Sequence, residues 1–118
     1  MIITTAYLKQ LGACQSGIDA FSNLFPGGEA ELNSDNISKA REEELDVAWI
    51  LERIDDQDAL VTLSKDEDYS VREGVAANPS TPPATLVTLS KDEDYLVCEG
   101  VAANPSTPQG TTNEELAR

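Results

Sequence analysis

The chain has 118 residues, 40% of them hydrophobic, which fits one domain able to bury about two thirds of its unfolded surface rather than a disordered polymer. Its 22 acidic residues against 8 basic ones leave a net charge of −14, which excludes direct attraction to nucleic acid or to an anionic membrane. Apolar runs only a few residues long exclude a membrane-spanning helix and a signal-peptide core.

In chain order, Thr4 or Thr5 is positioned to cap a short helix through Leu11 that Gly12 stops. From Cys14 to Phe25, Ile18, Phe21, Leu24 and Phe25 fall at helical spacing, and Pro26-Gly27-Gly28 ends that segment. Residues 29–33 read as a brief extended stretch with no partner in view. Ser34 or Asp35 would cap a third helix reaching about Glu43. Asp46 would cap a fourth, with Val47, Ile50, Leu51 and Ile54 on one face beside Trp49.

Residues 60–85 and 86–111 are one 26-residue unit written twice, identical at 22 positions and differing only at Ser70/Leu96, Arg72/Cys98, Pro83/Gln109 and Ala84/Gly110. A period of this length signals stacked repeats, each covering its neighbour's apolar face. The unit reads as two short helices. Thr81-Pro82 would open the first, with Leu86 and Leu89, like Leu60 and Leu63, three apart. Asp68 or Asp94 would cap the second, with Val71 and Val75, or Val97 and Val101, four apart. Asn78-Pro79 and Asn104-Pro105 would close it. Asp46–Ile54 reads as a degenerate preceding half-unit, and Thr107 to Ala117 as a truncated following one.

The pattern Leu60, Leu63, Asp66, Val71-Arg72, Val75-Ala76, Asn78-Pro79, Thr81-Pro82 resembles the leucine-rich repeat variant family, related to HEAT-like helical solenoids. The second copy departs from it only at Cys98. The resemblance implies alternating short helices in a right-handed superhelix and no catalytic residues to carry over. Iron–sulfur members of that family hold their cluster through a separate cysteine motif that this sequence lacks. The front segment, through Leu8, Gly12-Ala13-Cys14, Gly17, Phe21, Phe25-Pro26, Leu45-Asp46 and Trp49, is similar to a leader on uncharacterised bacterial and phage proteins. The expected fold is all-α: a helical cap over residues 1–45, and an acidic helical-repeat region over 46–118 packed on it as one compact unit.

Candidate chemistry is sparse. Histidine is absent, which removes the commonest general base and metal ligand. Cys14 and Cys98 form no CxxC pair and read as free, buried thiols of a reducing cytosol. No phosphate-cradling glycine loop is present. A calcium loop started at Asp66 would put Val71 where glycine is needed and Ala77 where the bidentate glutamate belongs. The reading is therefore a non-enzyme with no cofactor and no metal site.

Charge is what remains. Residues 1–41 carry a net −1 and residues 42–118 a net −13. The triplets Asp66-Glu67-Asp68 and Asp92-Glu93-Asp94 recur at the repeat period, so stacking at roughly 8–10 Å would set them in a ladder, extended by Asp55, Asp56 and Asp58 and by Glu42–Glu44. Arg72 would pair with Asp68 or Glu73, and Tyr69 and Tyr95 would pack half-buried beside the triplets. A rigid row of carboxylates can imitate a phosphate backbone and occupy a basic channel. The expected function is a non-enzymatic acidic protein-binding module of the bacterial cytoplasm. In its sharpest form it is a phage inhibitor that blocks a CRISPR effector or another nucleic-acid-binding complex by DNA mimicry. The alternative is a structural or adaptor repeat protein that binds a partner, or a second copy of itself, through the solenoid face, Trp49 or its last repeat.

Overall fold

The computed structural model describes residues 1–108; the segment read as a truncated following half-unit lies largely outside them. Two compact units divide the chain, Met1–Val47 and Ala48–Arg118. Among the described residues the fold is all-α apart from one two-stranded ribbon.

In the first unit, β1 (Ile2–Thr4) pairs antiparallel with β2 (Glu29–Glu31), placing Ile3 opposite Ala30. The partner missing from the sequence reading of residues 29–33 is therefore the β-branched Ile2-Ile3-Thr4 run, too short to announce itself as a strand. Helix α1 (Thr5–Leu11) is capped by the Thr4 hydroxyl, which accepts from the Tyr7 N–H at 3.0 Å. Gly12 at φ 94° ends it in the left-handed conformation that glycine tolerates. Helix α2 (Gln15–Leu24) buries Ile18 and Phe21, and the Phe21 ring lies 5.1 Å from that of Phe25. Helix α3 (Ser34–Glu42) begins one residue earlier than expected, because the Asn33 side chain accepts from the Asn36 N–H at 2.9 Å.

Helix α4 (Val47–Leu51) is a single turn and a half that delivers buried Leu51, and Ile54 follows it. Two helix pairs then repeat with the same bounds 26 residues apart: α5 (Gln57–Leu63) with α6 (Tyr69–Ala77), and α7 (Pro83–Leu89) with α8 (Tyr95–Ala103). Helices of seven and nine residues are not stable alone in water, so packing supplies their stability. Leu60, Leu63, Val71 and Val75, with Leu86, Leu89, Val97 and Val101, form the buried core that their spacing implied. Gly74 lets α6 meet Leu51, and Gly100 lets α8 approach Ala76 of α6; a Cβ at Gly74 would stand 2.7 Å from the Leu51 Cβ.

The opening of α7 differs from the sequence reading. Pro82 occupies the N-cap and Pro83 the first turn, while the buried Thr81 hydroxyl donates to the Val75 carbonyl at 2.7 Å. Thr107 repeats this on Val101 at 2.7 Å. These hydroxyls satisfy a carbonyl at the end of the preceding helix rather than an N–H of the next one.

The buried asparagines tie one repeat to the previous one. The Asn78 amide donates to the carbonyls of Leu51 at 2.7 Å and Ile54 at 2.8 Å, and its oxygen accepts from the Ser80 N–H at 2.7 Å. Asn104 donates to Ala76 at 2.7 Å and to Asn78 at 2.9 Å, and accepts from Ser106 at 2.9 Å. Each amide thus satisfies carbonyls that the end of a helix leaves exposed in a water-poor interior.

Candidate functional site

The two acidic triplets sit on equivalent loops, between α5 and α6 and between α7 and α8. Asp66 and Asp92 each fold the loop by accepting from the N–H two residues on, at Asp68 and Asp94, both at 2.9 Å. Asp68 caps α6 by accepting from the Ser70 N–H at 2.8 Å. Asp94 caps α8 through the Leu96 and Val97 N–H groups at 3.0 and 3.2 Å. The repeated acids therefore have a local reason to exist: each helix start gains a cap and a charge that complements its dipole. Glu67 and Glu93 are the fully exposed members of the triplets.

Arg72 joins the two loops. Its Nε and Nη2 donate to the Asp92 carboxylate at 2.8 and 3.3 Å, and its Nη1 donates to the carbonyls of Asp66 and Glu67 at 2.9 and 3.1 Å. The ion pair is largely shielded, with 15% and 12% of the two side chains exposed. Hydrogen bonding to Asp92 holds the guanidinium pKa above its ordinary value, against the opposing effect of burial. This corrects the local pairing with Asp68 or Glu73: Arg72 reaches forward a full repeat. The guanidinium fork fits a carboxylate and two carbonyls at once, which a neighbour on the same helix turn could not supply. At the equivalent place Cys98 donates instead to the Asp92 carbonyl at 3.1 Å. The position one repeat beyond Asp92 is Arg118, so a second arginine would face like charge in the repeat register.

Asp56 caps α5 by accepting from the Ala59 N–H at 3.0 Å, between exposed Asp55 and Asp58. These three stand at the N-terminal end of α5, and the triplet loop stands at its C-terminal end. The Gln57 side chain beside them donates to the Ser80 carbonyl at 3.3 Å. The seven-residue helix places about 10 Å between the two groups. They form a second acidic group, not the next rung of the triplet ladder. Glu42, Glu43 and Glu44 belong to the first unit, with Glu44 at φ 63° closing α3.

Other expectations change as well. Tyr69 and Tyr95 are 53% and 73% exposed, because the first position of a capped helix projects away from the core. Trp49 is half-buried and carries the Arg53 guanidinium over its ring at 4.3 Å. Both cysteines are free, but Cys98 is half-buried and Cys14 exposed. A hydrogen bond with Ser16 and another from the Gly17 N–H hold the Cys14 thiol below its ordinary pKa. Its thiolate is favoured in the folded chain, an advantage present above the unfolded pKa and lost as pH falls through the folded one. Iodoacetamide near neutral pH should therefore label Cys14 before Cys98, and more slowly once urea unfolds the chain; equal rates in both states would refute this.

Among the described residues no group of three or more His, Cys, Asp or Glu is arranged to hold a metal ion. No helix among them is long and apolar enough to cross a membrane.

The sequence reasoning missed Asn78 and Asn104, and the forward reach of Arg72. The recurrence of Asn-Pro-Ser-Thr was the available signal, since turn formation alone demands no one sequence twice.

In comparisons with known proteins, residues 69–94 match the family model described as leucine rich repeat variant. The match spans one full period, from the start of α6 to the cap of α8. No curated protein and no solved structure matches the chain.

Proposed function

We propose that the chain is a non-enzymatic helical-repeat module that binds a protein partner with a basic surface. The observation that carries this reading is the net charge of −13 over residues 42–118, part of it on two loops that recur at the repeat period. Caps and turns fix Asp66, Asp68 and Asp94 in place without removing their charge, so a partner would meet carboxylates already ordered. Glu67 and Glu93 add the exposed charge, with Asp55, Asp56 and Asp58 as a separate group at the far end of α5. Asp92 is spent on Arg72 and contributes less.

In its sharpest form the module is a phage or prophage product acting in the bacterial cytoplasm. It would occupy the basic channel of a nucleic-acid-binding complex, such as a CRISPR effector, by imitating DNA. Acidity on a small rigid scaffold supports that form. Charge mimicry loses affinity steeply with salt, because exposed charges more than about 10 Å apart are screened at 0.1 M. Capture from a bacterial lysate should therefore retain a nucleic-acid-handling complex at low salt and release it on adding DNA or moderate salt. Salt-resistant capture of a different protein would favour the adaptor reading, which the exposed Tyr69, Tyr95 and Leu96 support.

A further inference from the structure

The two copies of the repeat allow one surface to be compared in its covered and uncovered forms. In the first copy α8 packs on α6, with Gly100 approaching Ala76 closely enough that a Cβ there would stand 3.1 Å from the Ala76 Cβ. Ala76 is fully buried and Ser70 and Glu73 half-buried, while their counterparts Ala102, Leu96 and Glu99 are exposed. Among the described residues no helix follows α8 to cover them.

Two of the four differences between the copies fall on this open face or beside it. Ser70 becomes Leu96, which is 53% exposed, and Arg72 becomes Cys98. The first change adds apolar area where water is in contact, next to exposed Tyr95. The second deletes the cation that, in the first copy, meets an aspartate on the incoming repeat. Another repeat bringing an aspartate would find no partner there. Four carboxylates and one lysine lie on α8 and the loop before it, so a second copy of this face would meet like charge.

We infer that this end face, centred on Leu96 with Tyr95, Glu99 and Ala102, docks a basic amphipathic helix of a partner protein. The incoming helix takes the place that α8 holds on α6. It needs a small residue at the Ala102 crossing, as Gly100 provides at Ala76, an apolar side over Leu96, and Lys or Arg toward Glu99. The inference rests on the chain being a protein-binding module, but not on the acidic loops being the contact.

The test titrates the full chain with a synthetic Lys/Leu amphipathic helical peptide, following backbone amide shifts by NMR. The same peptide with Ser for Leu is the control. The expected result is shifts centred on Leu96, Glu99, Gly100 and Ala102, with weaker binding by the control. Leu96→Ser, which restores the first copy's residue, should weaken binding about tenfold or more while leaving the melting temperature unchanged. Shifts confined to residues 66–68 and 92–94, with Leu96→Ser neutral, would overturn the end face and leave charge-driven binding standing. Absence of binding, or a dimer by sedimentation that Leu96→Ser dissolves, would also overturn it.

Discussion

Replacing Asn78 with alanine is expected to destabilise the repeat region by about 3 kcal/mol and to lower its melting temperature by roughly 10 °C. The side chain is 1% exposed and makes three hydrogen bonds, two of them to carbonyls of the preceding segment. Alanine strips all three partners in a place water cannot enter, and leaving one buried polar group unpaired costs about 1–3 kcal/mol. Thermal unfolding followed by circular dichroism measures the effect. A shift no larger than that of an exposed control such as Ser38→Ala would mean that the asparagine does not tie the repeats together.

The second large effect is Gly74→Ala. Helix propensity alone predicts a gain of about 1 kcal/mol, since glycine is the poorest non-proline helix former. The structure predicts the opposite sign. The new Cβ would lie 2.7 Å from the Cβ of Leu51, which belongs to the stem of a buried side chain and cannot swing away. Overpacking of this kind costs about 1–3 kcal/mol, so a net loss of about 1–2 kcal/mol is expected in urea denaturation. At Gly100 the equivalent distance is 3.1 Å, and Gly100→Ala should be milder. Stabilisation by Gly74→Ala would show that α4 and α6 do not pack as described.

Both positions mark where the sequence could be read and where it could not. Leu60 with Leu63, and Val71 with Val75, were legible because a helix face is a local pattern. The Asp68 and Asp94 caps were legible for the same reason, and the 26-residue period made stacking legible too. What escaped was the destination of side chains that act across the period. The partners of Asn78 lie 24 and 27 residues back, and that of Arg72 lies 20 residues ahead. No spacing rule connects such pairs. Thr81 before Pro82 carried every mark of a cap, yet its hydroxyl closes the helix behind it. The strand at Ile2–Thr4 was invisible because three residues show no alternation. Of the acidic residues, the sequence distinguishes none from another, whereas the structure separates caps (Asp56, Asp68, Asp94) from an ion pair (Asp92) and from exposed charge (Glu67, Glu93).

That separation changes how the acidic surface must be tested. Reversing every charge of both triplets would remove the caps of α6 and α8 and confuse lost binding with lost structure. Glu67→Lys with Glu93→Lys leaves each cap, each turn and the Arg72 pair in place. The decisive measurement compares what the parent chain and this double variant capture from a bacterial lysate at low salt, after confirming equal helicity. Loss of a salt-sensitive, nucleic-acid-handling partner by the variant is the result the acidic-surface account predicts. Undiminished capture of the same partner would contradict it.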